Sequence, residues 1–394
     1  MKRIISCLLI IFCFAHSGKA QQLSDDAQIS VLITAPGNES YSAFGHASVR
    51  VREKTLNMDY VFNYGLFDFN TPDFLYRFVK GETDYMLGIE LFFDASMDAK
   101  LENREMTELV LNLTPSEKQI LFEALLKNAL PENRVYRYNF IYDNCATRIR
   151  DIIAKGVTKV DYSYAYKGKT FRELIHEFAP ANTWIGFGED LLIGADADKS
   201  VEGKYYSFLP EYLQKEIQNG IITRDSKKEP LVSSTKMIVT ATAEPKKESP
   251  FTPMNVNWAL FIILFLVTRS GMIHCKTMVV LDVILFSIAG LAGSLFLFMN
   301  FGSTHPLVSP NYIVLFFHPL LLLLLPMLAI SSIRKYANYF HAINLIWTGC
   351  IIFAWHFVPQ TMNPAVWPLI GLLAIRSVHK VYLWWFSLHI KKLD

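Results

Sequence analysis

Cysteine is scarce in this chain, and its scarcity is informative. Five occur in 394 residues. Cys7 and Cys13 sit in an apolar leader, and Cys275 and Cys350 sit in an apolar C-terminal half. That leaves Cys145 alone in the region between, which excludes a disulfide framework there. Exported domains usually pair their thiols because the compartment is oxidising. An unpaired one is either buried and inert or kept for its reactivity. The chain also lacks Cys-x-x-Cys, His-Glu-x-x-His and any close cluster of ligand residues, so no metal or other cofactor is expected. Gly-x-Ser-x-Gly and Gly-rich phosphate loops are absent too. Neither sign of charge dominates, since the net charge is +2. Basic residues form no stripe with interleaved aromatics, so nucleic acid is not an expected partner.

Long apolar runs, by contrast, are plentiful. Residues 1–20 read as a secretory signal. Lys2 and Arg3 precede an apolar stretch too short to span a bilayer, and Gly18-Lys19-Ala20 offers small residues for cleavage. Residues 21–225 have the mixed composition of one exported domain. Residues 226–253 are rich in Lys, Ser, Thr, Glu and Pro and read as a linker. Residues 254–394 read as an all-α membrane domain. Five apolar segments are expected there: Val256–Thr268, Met278–Phe301, Tyr312–Ile333, Phe340–Val358 and Ala365–Phe386. The second to fourth approach the roughly 20 residues a span needs. The fifth carries Arg376, His379 and Lys380 and could lie along the interface or snorkel its charges outward. Arg269, Lys276, Arg334, Lys335, Lys391 and Lys392 all fall on one side of the spans. The positive-inside rule puts them in the cytoplasm and the N-terminal domain outside it. The expected arrangement is therefore a membrane crossed several times, with the N-terminal domain outside the cytoplasm.

Within that domain, Ala47–Val51 and Met58–Tyr64 alternate as strands joined by a polar connection. His46, Ser48 and Arg50 then share one strand face, and Asp59, Val61 and Asn63 share one face of the next. Asp59 or Asn63 could orient the His46 imidazole, as a general base requires. Thr114-Pro115-Ser116-Glu117 is a capping box that should start a helix to about Leu130. Thr170-Phe171-Arg172-Glu173 looks like a second, and Leu209–Asn219 like a third helix stopped by Gly220. Asp143 and Asn144 are good N-caps for a helix over residues 146–155. Cys145 would then stand at a helix start, where the dipole and free N–H groups stabilise a thiolate and an oxyanion. A lone cysteine is more often a small buried hydrophobe. Export without a partner, the helix start and a suitable His raise the case for a nucleophile. Asn144, Arg148, His305 and Asn311 are the candidate substrate-binding residues. Arg148 is placed to hold a phosphate or carboxylate, and the other reading for it is a pair with an acidic neighbour. His305 and Asn311 lie on the first outward loop.

The strings Phe44-Gly45-His46-Ala47-Ser48-Val49-Arg50, Asn63-Tyr64-Gly65, Asp143-Asn144-Cys145-Ala146-Thr147-Arg148 and Phe208-Leu209-Pro210 resemble the Lnb family of lipoprotein N-acyltransferases of Bacteroidota. The resemblance covers nearly the whole mature chain. It implies transfer of a fatty acyl chain from a membrane phospholipid to the free α-amino group of a diacylglyceryl-cysteine lipoprotein. It also implies His46 and Cys145 as the working pair. A more distant similarity is to permuted NlpC-type, papain-like thiol enzymes, including lecithin–retinol acyltransferase. The fold expected from both is an α+β periplasmic domain followed by about five membrane helices. In the distant relatives a third polar residue follows on the strand after the His, here Asp59 or Asn63. Two other functions share parts of the pattern: a membrane-anchored cysteine peptidase or amidase acting on the cell wall, and a non-enzymatic lipid or lipoprotein binder.

Overall fold

The structure, a computed structural model, describes residues 22–157, 159–162, 168–242 and 249–390. The leader expected at residues 1–20 lies outside them. The chain divides into two compact units: Met1–Lys169 with Ser200–Pro245, and Thr170–Lys199 with Lys246–Asp394.

The first unit is built on a seven-stranded sheet in the order β10-β5-β1-β2-β3-β4-β6. Its strands are β1 (Gln28–Thr34), β2 (His46–Glu53), β3 (Met58–Leu66), β4 (Asp84–Leu91), β5 (Met106–Leu111), β6 (Val135–Arg137) and β10 (Val232–Val239). Every neighbouring pair is antiparallel. A small sheet of β7 (Val160–Asp161), β8 (Ile221–Arg224) and β9 (Lys227–Pro230) lies beside it in the chain's order β7-β8-β9. Among the described residues, four α-helices occur before β7: α1 (Phe74–Lys80), α2 (Phe92–Leu101), α3 (Pro115–Ala129) and α4 (Cys145–Gly156). A fifth, α5 (Pro210–Gln218), follows.

Alternation decides the layers. Val31, Val49, Val51 and Phe62 point to one sheet face and bury against Leu121, Phe122, Ile149, Ile153, Leu213 and Ile217 of α3, α4 and α5. Leu32 and Val61 point to the other and bury with Ala99 and Met106. The expected capping box at Thr114 is formed, with its hydroxyl accepting from Glu117 N, and Pro115 opens α3. The box at Thr170 likewise starts a helix over Phe171–Phe178.

Two expectations about domain limits change. Residues 226–253 are not a linker throughout: β9 and β10 occupy most of residues 227–239, and β10 pairs with β5 at the sheet edge. Its polar side chains are those of an edge strand exposed along most of its length, a composition easily read as a linker. Residues 170–199, expected in the soluble domain, group with the membrane half. Arg172 explains why. It is buried and pairs with Asp190 at 2.6 Å and Asp198 at 2.9 Å. Asp190 in turn accepts from Asn363 at 2.8 Å, and Ala195 N donates to Pro310 O at 2.8 Å.

The second unit carries five segments long and apolar enough to cross a membrane: Pro253–Ile273, Val279–Gly302, Tyr312–Ala329, Tyr336–Phe357 and Pro364–His389. The first is longer than its apolar core, because Thr252 caps it and Pro253 opens it. The third is broken into short turns around Pro319 and Pro326, which cannot donate to a helix. The fifth does not send Arg376 outward. Arg376 is fully buried and pairs with Asp282 at 2.7 Å and Thr268 at 3.0 Å, as an intramembrane charge requires.

Candidate active site

His46 begins β2 because Gly45 turns the chain at φ 79°. A Cβ at Gly45 would come within 2.8 Å of Thr34 O, so the turn into the strand needs glycine. Cys145 is the first residue of α4. The Asn144 side chain caps that helix, accepting from Ala146 N at 2.9 Å and Thr147 N at 3.0 Å. Thr147 Oγ1 accepts from Asn144 N at 2.8 Å, completing a capping box. The N–H of Cys145 is not taken up by this cap. Asn144 Nδ2 donates to Phe140 O and Phe208 O, both at 2.8 Å. Asn144, expected to touch substrate, is therefore a buried clamp on three segments, its polar atoms committed.

The thiol of Cys145 and the His46 imidazole lie close enough for each to shift the other's proton affinity. His46 Nε2 lies 2.8 Å from Asn63 Oδ1. Asn63 is itself fixed: Nδ2 donates to Glu90 at 3.0 Å, and Oδ1 also accepts from Gly65 N at 2.9 Å. An amide oxygen can only accept, so Nε2 must carry the hydrogen. That leaves Nδ1 to take the thiol proton, which is the tautomer a general base needs. Burial opposes charge on both groups. Their mutual attraction and hydrogen bonding outweigh it, with backbone N–H of Ala47 and Ala146 helping the sulfur and Asn63 helping the ring. The Cys145 thiol is held below its usual value and His46 above its own. Both shifts run in the direction of thiolate and imidazolium.

Of the two candidate orienting residues, the structure brings only Asn63 to His46. Asp59 is engaged elsewhere, clamping Arg50 through two bonds of 2.7 Å while Arg50 also reaches Glu108 at 2.9 Å. Arg148 is also committed: Asp143 grips it at 2.6 and 2.7 Å and its guanidinium covers the Tyr136 ring at 3.6 Å. It braces the loop before Cys145 and is not part of the lining of the cavity described below. His305 and Asn311 belong to the second unit. Asn311 is 2% exposed and donates to Leu191 O at 3.0 Å while bonding Gln360 at 3.0 Å, so it holds residues 191–192 instead of offering a free group.

Cys145 and His46 open on a cavity of ≈ 230 Å³ lined by Tyr41, Phe44, Phe67, Tyr85, Arg104, Tyr138, Phe140 and Phe208 among others. The wall is chiefly aromatic. Tyr85 stacks on Tyr138 at 4.1 Å and on Phe67 at 4.9 Å. Phe67 continues to Phe69 at 4.7 Å and Phe74 at 6.1 Å. There the aromatic track surfaces: Phe69 is 66% and Leu75 74% exposed, with Tyr76 and Phe78 beside them on α1. Sequence reading missed Arg104, Phe67 and Gly65. Only Gly65 stood in a quoted motif. A Cβ there would lie 2.5 Å from His46 Cε1, so its bareness makes room for the ring. Among the described residues, no three His, Cys, Asp or Glu side chains gather as a metal site would need.

Two family models match the chain. The Lnb N-terminal periplasmic domain matches residues 14–177 and the Lnb transmembrane domain matches residues 245–387. No curated protein and no solved structure matches.

Proposed function

Because the chain belongs to the Lnb family, a family of multi-pass membrane proteins with a periplasmic N-terminal domain, we propose that it is a thiol-dependent lipoprotein N-acyltransferase of the inner membrane. The acyl donor is a membrane phospholipid, and the acceptor is the α-amino group of a diacylglyceryl-cysteine lipoprotein. The observation that carries this reading is the Cys145–His46–Asn63 array at the end of an aromatic track that surfaces as an exposed apolar lip. A peptide-cleaving thiol site has no use for such a lip, whereas an acyl chain entering from a bilayer does.

The chemistry is ping-pong. The Cys145 thiolate attacks the donor ester carbonyl, forming a C–S bond. Negative charge gathers on the carbonyl oxygen, where the Cys145 N–H at the head of α4 can stabilise it. The C–O bond breaks, and the His46 imidazolium gives its proton to the departing lysophospholipid alkoxide. The lipoprotein amine then attacks the thioester. The C–N bond forms as C–S breaks, and His46 accepts the amine proton, restoring the ion pair. The aromatic wall keeps water from the thioester.

The test is trapping. Full-length protein incubated with phospholipid vesicles and no acceptor should carry an acyl group on Cys145 that neutral hydroxylamine releases. Adding a diacylated lipopeptide should discharge it into a triacylated product. A Cys145→Ser chain that still N-acylates lipoproteins would overturn the proposal.

A further inference from the structure

Arg104 stands in the wall of the Cys145 cavity. It lies just before β5, and its side chain is 10% exposed. Nε donates to Ala35 O at 2.8 Å and Nη1 pairs with Glu102 at 2.9 Å. Nη2 is buried and finds no acceptor among the described residues. A guanidinium is always charged and presents its donors as a rigid fork. Leaving one of them buried without an acceptor is costly, so such a group is a place where a ligand oxygen is awaited. Arg148, one helical turn after Cys145, has two guanidinium nitrogens on Asp143 and is not available for that task.

We propose that Arg104 receives the phosphodiester of the acyl donor, setting the donor class as a phospholipid. The inference rests on the acyl-transfer reading of the site and assigns its second recognition element. In a glycerophospholipid the acyl ester and the phosphate are separated by the glycerol backbone alone. A thiol that attacks the ester and a cation that holds the phosphate must therefore share one cavity, as Cys145 and Arg104 do. The acyl chain then leaves along Phe67 and Tyr85, on the aromatic part of the same lining. Arg104 also opposes charge on His46. A seated phosphate would offset that opposition, so the ion pair would be favoured most when donor is present.

The test needs no turnover. Alkylation of Cys145 by iodoacetamide is followed in the full-length protein in detergent, read on the Cys145 peptide because Cys275 and Cys350 are exposed. Dodecyl phosphate should protect Cys145. In Arg104→Gln the concentration needed should rise about 10- to 100-fold, the worth of a hydrogen bond to a charged group. Arg104→Lys should recover part of the loss, having the charge without the fork. Dodecanol should protect wild type and both variants alike, which also reports that the cavity is intact. Equal protection of wild type and Arg104→Gln by dodecyl phosphate would overturn the assignment. Protection by inorganic phosphate as effective as by dodecyl phosphate would overturn the lipid source. Failure here leaves thioester trapping untouched, and failure of trapping leaves this binding result standing.

Discussion

At the scale of single residues, the site is a chain of commitments running Glu90, Asn63, His46, Cys145. The depressed thiol and raised imidazole give the sign of its pH dependence. A thiolate whose pKa lies below the ordinary 9.0 persists as pH falls under that value. Its reactivity is lost only as pH passes the lowered thiol pKa. Replacing His46 by Ala removes the opposing charge and leaves burial to act, so the apparent pKa for Cys145 alkylation should rise. An unchanged profile would dissolve the pair. Asn63 and Asp59 make a matched contrast. Asn63→Ala should cost about tenfold in transfer rate, the worth of roughly one hydrogen bond of orientation. Asp59→Ala releases the Arg50 clamp and should lower the melting temperature instead, with the alkylation profile of Cys145 unmoved. Gly65→Ala would push a methyl to 2.5 Å from His46 Cε1. We expect it to displace the ring at a cost of about 1–3 kcal/mol, read as slower alkylation in a chain that still folds.

At the scale of elements, local chemistry was legible where it is written in adjacent residues. The caps at Thr114, Asn144 and Thr170 start the helices their sequences announce. The alternation of β2 and β3 brings His46 and Asn63 together. What was not legible depends on partners far along the chain. Polar β10 declares itself only by pairing with β5, more than a hundred residues earlier. Arg104 has no motif around it and gains meaning only from the cavity it enters. The choice between Asp59 and Asn63 turned on Arg50 capturing the former. Helix α1 illustrates a further kind of information. Leu75 and Tyr76 are 74% and 57% exposed, so they do little for the core. If the lip meets lipid, Leu75→Ser with Tyr76→Ser should reduce transfer from vesicle phospholipid by about tenfold or more, on the scale of 1.5–3 kcal/mol for a buried apolar side chain. Alkylation of Cys145 in detergent should stay unchanged. Equal activity of the double variant on vesicles would show that the lip does not touch the bilayer.

At the scale of the whole molecule, the order of the chain and the order of its folding units differ. The first unit is interrupted by residues 170–199, which group with the membrane segments, and is completed by β10 just before the first span. A fragment ending at residue 225 would therefore lose β9 and β10 and bare the edge of β5. It would also keep residues 170–199 with Arg172 stripped of its Asn363-bound partner Asp190's surroundings. Such a fragment should aggregate. A better one follows from the join. Val201 N donates to Lys169 O at 2.9 Å, so the two ends of the interruption already meet. Residues 22–242 with 170–199 replaced by a short Gly linker should fold as a monomer and keep a low-pKa thiol, because Cys145, His46, Asn63, Glu90 and the sheet beneath them all lie in the retained unit. It should nonetheless fail to move acyl chains from vesicle phospholipid to a diacylated lipopeptide at the rate of the full chain. Both substrates are anchored in the bilayer, and a thiol cut from its own anchor loses the effective concentration that anchoring supplies. Purified fragment and full-length protein compared on the same vesicles decide the matter. Equal rates would mean that the five apolar segments serve the chemistry in no way that the first unit cannot supply alone.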